Sequence, residues 1–176
     1  IYFSVSICQP MDLQETLSER FDKQVVSDYI KATPHAFEEL FELAIQPDNP
    51  FSWRAAWILN ATMRKNDNRL TPHISTIIHV TANGNPSVQR ELLKTLLRLT
   101  PSEDEEGMLF DLAVTLWQDI GKPPAVRSTA FKHMIHIATK HPEIKNEIPF
   151  LTQSHYIESL SPGIKRSVEK MIRKIQ

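Results

Sequence analysis

The amino-acid sequence predicts an all-α chain, an α-solenoid of about four antiparallel helix pairs behind an N-terminal helical cap. Three observations predict it. Pro50, Pro86, Pro124 and Pro162 lie 36, 38 and 38 residues apart, and self-similarity at a period near 40 marks a repeat protein. The texts that follow these prolines, PFSWRAAWILNATMR, PSVQRELLKTLLRLT, PAVRSTAFKHMIHIA and PGIKRSVEKMIRKIQ, align without gaps. Twelve prolines against four glycines suit helices opened by proline at the first helical position, not a barrel or sandwich built on glycine turns.

The elements follow in order. Residues 1–10, IYFSVSICQP, are apolar and β-branched and directly precede Met11. They read as an extended N-terminal segment. One reading makes them an upstream extension of a chain whose natural start is Met11. A trimmed export segment with Cys8 as a lipid site is another, but the basic leading region is missing. One cysteine allows no internal disulfide and points to a reducing compartment, so a cytoplasmic location is expected. From Asp12 to Lys31, Leu13, Leu17, Phe21, Val25 and Tyr29 recur every four residues, widened by Val26 and Ile30. This is an amphipathic helix or a broken pair, with Ser18 as an internal cap.

The paired units come next. Thr33-Pro34 sets a capping hydroxyl before a first-turn proline, and Phe37, Leu40, Phe41 and Ala44 then share one face. Asp48-Asn49-Pro50 breaks this helix and the next begins. Thr71-Pro72 repeats the start signal, and Asn83-Gly84-Asn85-Pro86 is a turn. Pro101 and the acidic run Glu103 to Glu106 open the following helix, where acids suit its positive N-terminus. Gly121 to Pro124 stops it. His141-Pro142 opens a segment interrupted by Pro149, and Ser161-Pro162 opens the last helix. Residues 11–176 are expected to form one repeat domain, with a cap at 11–33 and repeats near 34–66, 69–100, 102–141 and 142–176. Within the second helix of each pair, offsets from the proline repeat by chemistry. Six residues on stand Ala56, Leu92, Ala130 and Val168. Thirteen on stand Met63, Leu99, Ile137 and Ile175. Two on stand Ser52, Val88, Val126 and Ile164. These positions share a helical face and are the expected core.

Pro86, Val88 and Arg90, then Pro124, Val126 and Arg127, then Pro162, Ile164, Lys165 and Arg166 carry a resemblance to the HEAT-repeat branch of the α-solenoids and to the nearby armadillo type. The first unit departs, with Ser52 in the apolar slot and Trp53 beside it. The resemblance covers about Pro34 to Gln176. It implies a right-handed solenoid whose second helices line a concave face, and it implies little about activity. The segment FSWRAAW also looks faintly similar to the aromatic-Arg-Ala-Ala helix of the HEAT-like DNA alkylation-repair glycosylases. That resemblance implies DNA in a basic concavity beside a carboxylate and aromatic residues. The acid near a tryptophan here, Asp119, is two residues from Trp117 at the end of a first helix, which does not suit that chemistry.

Charge segregates with the period. Fourteen of the twenty Lys and Arg residues but only two of the twenty-one acids fall on the second helices, giving them +12 against −13 for the remainder. The bases also keep phase. Four, eight and twelve residues after the proline stand Arg90, Lys94 and Arg98, then Ser128, Lys132 and His136, then Arg166, Lys170 and Lys174. The first unit gives Arg54, Ile58 and Thr62, so the stripe fades there. Like charges at i and i+4 cost a helix about 0.2–0.5 kcal/mol per pair, and first-turn cations oppose the dipole. A solvated helix face explains the bases near the C-termini, such as Arg173 and Lys174. It explains Arg54, Arg90 and Arg166 badly.

Trp53 and Trp57 are four apart on the first of these helices. Trp57 reads as core, and Trp53 as a candidate aromatic contact for a partner. His133, His136 and His141 read as surface or satisfied histidines. No CxxC or HExxH spacing, glycine-rich phosphate loop or catalytic order stands out, so no metal site, cofactor or catalytic residue is assigned. No stretch reaches the about 18 apolar residues needed to cross a bilayer, so no membrane partner is expected. The reading is a non-catalytic interaction module that binds an acidic protein segment on a basic concave stripe made of Arg54, Arg90, Lys94, Arg98, Lys132, His136, Arg166, Lys170 and Lys174. The alternative is nucleic-acid binding on the same stripe. Charge reversal at Lys94, Lys132 and Lys170 together is expected to abolish partner binding.

Overall fold

A computed structural model of the protein describes residues 10–175. The expectations for segment 1–10, apart from Pro10, and for Cys8 lie outside the described residues. The described chain is helical throughout, without a strand among the described residues. It divides into two compact units, Ile1–Met63 and Arg64–Gln176.

The first unit holds α1 (Leu13–Ser18), α2 (Lys23–Ala32), α3 (Pro34–Ile45) and α4 (Ser52–Thr62). The cap is therefore the broken pair. Ser18 does not start a helix: it ends α1, and its Oγ donates to the Glu15 carbonyl at 2.7 Å. The N-caps are Asp12, which accepts from Glu15 N at 2.9 Å, and Asp22, which accepts from Gln24 N at 2.7 Å. A carboxylate satisfies the free first-turn N–H groups and also suits the dipole. The break resets the apolar phase. Val25, in register with Leu13 and Leu17, is left 57% exposed, while Val26 and Ile30 are buried. Pro34 occupies the first turn of α3 as expected, but the Thr33 hydroxyl makes no capping bond. Phe37, Leu40, Phe41 and Ala44 are all buried.

The second unit holds α5 (Ile74–Asn83), α6 (Pro86–Leu96), α7 (Glu103–Gln118), α8 (Pro124–Lys140), α9 (Ser154–Ile157) and α10 (Pro162–Ile172), with 3-10 turns at Thr71–His73, Pro142–Asn146 and Phe150–Thr152. Pro86, Pro124 and Pro162 each stand in the first turn of their helix. Pro50 stands outside α4, whose start is delayed by a turn in which Asn49 Oδ1 accepts from Phe51 N at 2.9 Å. The acidic start of α7 is sharper than its charge implies. Ser102 and Glu105 form a reciprocal capping box, which the S-x-x-E spacing spells out. The first member of the last pair, broken by Pro149, is a run of 3-10 turns ending in the short α9.

Helices α5 and α7 pack as one layer of this unit, and α6, α8 and α10 as a second, α8 lying against both of its neighbours and against α7. The proline register marks the core. Every residue at offsets six and thirteen is buried, as are Ser52, Val88 and Val126 at offset two; Ile164 is half-buried. In α6 and α8 offset three also turns inward, and there the side chains are polar. Gln89 Nε2 donates to the Thr81 carbonyl at 3.1 Å, and Arg127 Nε donates to the Trp117 carbonyl at 3.0 Å. Helices α6 and α8 thus each tether the end of the first helix before them, where carbonyls lack intrahelical partners.

Candidate functional site

Helix α8 is buried along most of its circumference, with α6, α7 and α10 around it. Its exposed strip runs through half-buried Ser128 and exposed Lys132, His136 and Lys140, the phase set by offsets four, eight, twelve and sixteen from Pro124. Lys132 and His136 make no hydrogen bond or ion pair among the described residues. On α10 and just beyond its end, Arg166, Lys170 and Lys174 are exposed and likewise unpaired among the described residues. Since α8 packs on α10, these five side chains belong to adjacent helices of one layer.

The bases of α6 are held differently. Glu91, 1% exposed, draws in Arg90 Nε at 2.8 Å and Lys94 Nζ at 3.0 Å. A buried carboxylate needs such partners, because desolvation without them is expensive. Both cations keep a large part of their side chains in solvent, 39% for Arg90 and 45% for Lys94. Arg98 is half-buried, and its carbonyl accepts from Asn66 N at 2.8 Å in the loop that precedes α5. That loop is itself organised by Asp67, which accepts from Arg64 N, Arg69 N and the Arg69 guanidinium. The Arg69 hydrogen bonds, chiefly, hold the Asp67 carboxyl down to about 2.

Two further bases are taken up by the fold. Lys140 pairs with Glu106 of α7, whose other oxygen meets His141 Nε2 at 2.8 Å. Burial alone would raise the Glu106 carboxyl, but the hydrogen bonds from Lys140 and His141 outweigh it and hold it low. The same bond raises His141. Arg127, the arginine of the P-x-V-R signature, is 1% exposed. Besides Trp117 O it donates to the Tyr156 carbonyl and to Ser159 Oγ at 3.0 Å, and it lies 4.9 Å from the Trp117 ring. Burial lowers its pKa, opposed by Asp119.

In the first unit Arg54 is engaged locally. Its Nη1 donates to the Leu17 carbonyl at 2.8 Å and to the Glu19 carbonyl at 2.7 Å, so it closes the C-terminus of α1. It also lies 5.4 Å from the half-buried Trp53 ring. Trp57 carries Lys23 over its face at 4.6 Å. Offsets eight and twelve of α4, Ile58 and Thr62, are buried.

Neither remaining histidine nor tryptophan builds a reaction centre. His133 is buried against α6, its Nε2 2.8 Å from the Leu93 carbonyl. Because that carbonyl can only accept, Nε2 carries the proton. Burial pushes His133 down to about 4, which keeps it neutral near pH 7. Trp117 is fully buried, with Nε1 donating to the Leu151 carbonyl at 2.6 Å. Asp119 accepts from Gly121 N at 3.0 Å as α7 ends. The tryptophan and the acid are therefore parts of a helix terminus. Among the described residues no group of three or more His, Cys, Asp or Glu could hold a metal ion, and no helix is long and apolar enough to cross a membrane.

Helices paired in register from a shared proline origin, with an apolar seam at constant offsets, define a helical-repeat protein. The chain belongs to the HEAT repeat family: the family model described as a HEAT repeat domain matches residues 11–175. No curated protein and no solved structure matches the chain. HEAT repeats in general act as scaffolds for protein interactions, and their proteins are in general not enzymes.

Proposed function

We propose that the protein is a non-catalytic interaction module whose second-helix layer, at Lys132, His136, Arg166, Lys170 and Lys174 and flanked by Arg90, Lys94 and Arg98, docks an acidic protein segment. The observation that carries this reading is the edge of α8: on a helix otherwise buried, the narrow exposed strip carries Lys132 and His136, beside the unpaired bases of α10. Exposed charges contribute little to stability, so the fold has no need of this set. A patch of one sign attracts an anionic partner and speeds encounter. Arg54 and Trp53 stand outside the proposed face, since each already has a partner within the first unit.

A protein segment is favoured over single-stranded nucleic acid by what is missing beside the bases. Single-stranded nucleic acid binds on exposed aromatic rings. The exposed large apolar residues among those described are Val25, Met108, Ile120 and Phe150, and none stands on α6, α8 or α10.

The test is fluorescence anisotropy with a labelled glutamate-rich peptide and a labelled DNA duplex, on the wild type and a Lys132→Glu, Lys170→Glu, Lys174→Glu variant. Lys94 is spared because reversal there would set two carboxylates together at the buried Glu91. The peptide is expected to bind the wild type and to lose about tenfold or more in the variant, with the circular-dichroism spectrum unchanged. Equal binding by both proteins would overturn the reading. Preference for the duplex, with a log–log salt slope of about −0.9 per contacted phosphate, would replace it with the nucleic-acid reading.

A further inference from the structure

We infer that the groove between α7 and the 3-10 turn Phe150–Thr152 is a docking site for the basic edge of α10 of a second copy of this chain. The inference rests on the basic-face reading above and names the acidic surface that this face meets. Both surfaces belong to the second unit.

The groove encloses about 540 Å³, and Phe110, Val114, Phe150 and Leu151 supply its apolar lining. Phe150 is 70% exposed, more than any other large apolar side chain among the described residues. Its neighbours hold it there. Ile148 and Leu151 take the inward places of the turn and are buried. The Leu151 carbonyl accepts from Trp117 Nε1 at 2.6 Å, which ties the turn to α7. The Phe150 N–H donates to the Glu147 carbonyl at 3.0 Å. A hydrogen-bonded turn thus presents the ring to solvent beside half-buried Phe110 and Val114. Scattered exposed apolar residues need no explanation, but an apolar groove with a polar rim marks an interaction site.

Charge complementarity names the occupant. Asp111 and Glu147 line the groove, both exposed, and no lysine, arginine or histidine lines it. Neither acid forms an ion pair among the described residues. Helix α7 itself carries five acids and no base. The unpaired bases at the end of α10 are the complement: Lys170 and Lys174 are exposed and one turn apart, with half-buried Met171 beside them. The two ammonium groups would meet Asp111 and Glu147, and their aliphatic stems would lie along Phe110 and Val114. Met171 would meet the Phe150 ring, a favourable contact of sulfur with an aromatic edge. A second copy supplies this set because the repeat sorts opposite charges to the two layers of one chain. A net charge of −1 leaves little repulsion between copies to prevent their approach. The two surfaces differ, so the contact is heterologous and copies add head to tail.

The experiment is sedimentation equilibrium of the whole protein at low ionic strength over a range of concentrations. The average mass of the wild type is expected to rise above that of a single chain as concentration increases. It should return to a single chain in high salt, or with excess glutamate-rich peptide, which competes for the basic face. An Asp111→Lys, Glu147→Lys variant and a Lys170→Glu, Lys174→Glu variant are each expected to sediment as single chains, with circular dichroism as the check on folding. Mixed together, each supplies the surface that the other has lost, so the mixture is expected to form one-to-one pairs. Phe150→Ser, an exposed change, is expected to weaken association of the otherwise wild-type chain about tenfold. A wild type that stays a single chain, an acid-reversed variant that associates as the wild type does, or a mixture that does not pair would overturn the inference. Where the labelled glutamate-rich peptide still binds in those cases, the basic-face reading stands and the second copy alone is excluded as its partner. Loss of peptide binding as well would remove both.

Discussion

Helices α4 and α8 occupy the same place in the repeat and treat the same register in opposite ways. Offsets four, eight and twelve give Ser128, Lys132 and His136 on α8, half-buried and then exposed. On α4 they give Arg54, Ile58 and Thr62, half-buried and then buried. Within the first unit α2 packs on α4, and α1 ends at Arg54. The edge that α8 leaves open is thus interior on α4. Register fixes which residues share a face. What packs there decides whether that face holds lysine or isoleucine, because an unpaired charge cannot be buried cheaply. The basic stripe fades in the first unit because its edge is interior.

Substitutions that exchange the two chemistries test this comparison. The largest effect is expected from Ile58→Lys, which buries an unpaired cation: a loss of about 4 kcal/mol or more in urea unfolding. A loss below about 1 kcal/mol would mean that this edge of α4 is open to solvent. Next is Arg127→Met, which keeps the volume but leaves the Trp117 and Tyr156 carbonyls without their donor. A loss of about 3 kcal/mol is expected in the same assay, against less than about 0.5 kcal/mol for Arg166→Met, an exposed base one repeat later.

His133 on α8 and His141 just past its end make the third test. His133 has a native value of about 4 against an ordinary 6.5, so between those values the unfolded chain binds the proton that the native state refuses. Its contribution is complete above about pH 6.5 and is lost as pH falls toward 4, at a slope of about 1.4 kcal/mol per pH unit. His141, raised by Glu106, acts in the opposite sense: its contribution is complete below the ordinary histidine value and fades as pH rises through the raised one. Urea unfolding from pH 7 down to 5 should therefore show falling stability that His133→Gln flattens. An unchanged slope in that variant would assign the loss elsewhere.

Arg54→Ala is expected to cost about 1–2 kcal/mol, through the freed carbonyls of α1, and to leave binding of the acidic peptide as it was. Lys132→Ile closes the series. On an exposed edge it should change stability by less than about 0.5 kcal/mol while weakening the peptide.

Much of this was legible in the residues. The proline register located the seam correctly down to Val168 and Ile175. The fading of the stripe was visible as Ile58, though not its cause. Other features were beyond the pattern. The four-residue apolar spacing ran straight through Glu19 to Asp22, where the chain breaks, so Val25 looked like core. Arg90 and Arg127 looked equivalent in the signature, yet one half-faces solvent on Glu91 and the other is wholly interior. Gln89 gave no signal, although it shares its offset with Arg127 and the register could have flagged it. Asp67 sat in a stretch that composition marks only as polar loop.

The sequence alone determined the helical class, the period, the core offsets and the sorting of charge between the two helices of each pair. These depend on spacing, and spacing is local: 3.6 residues per turn and a proline at the first turn suffice to set them. The tertiary structure alone decided which bases are spent and which are free, which histidine stays neutral, and that an amide at Gln89 is left with an acceptor unmet. Those outcomes turn on desolvation and on partners more than thirty residues away, such as Leu93 for His133 and Glu106 for Lys140, and no period in the chain encodes such a meeting.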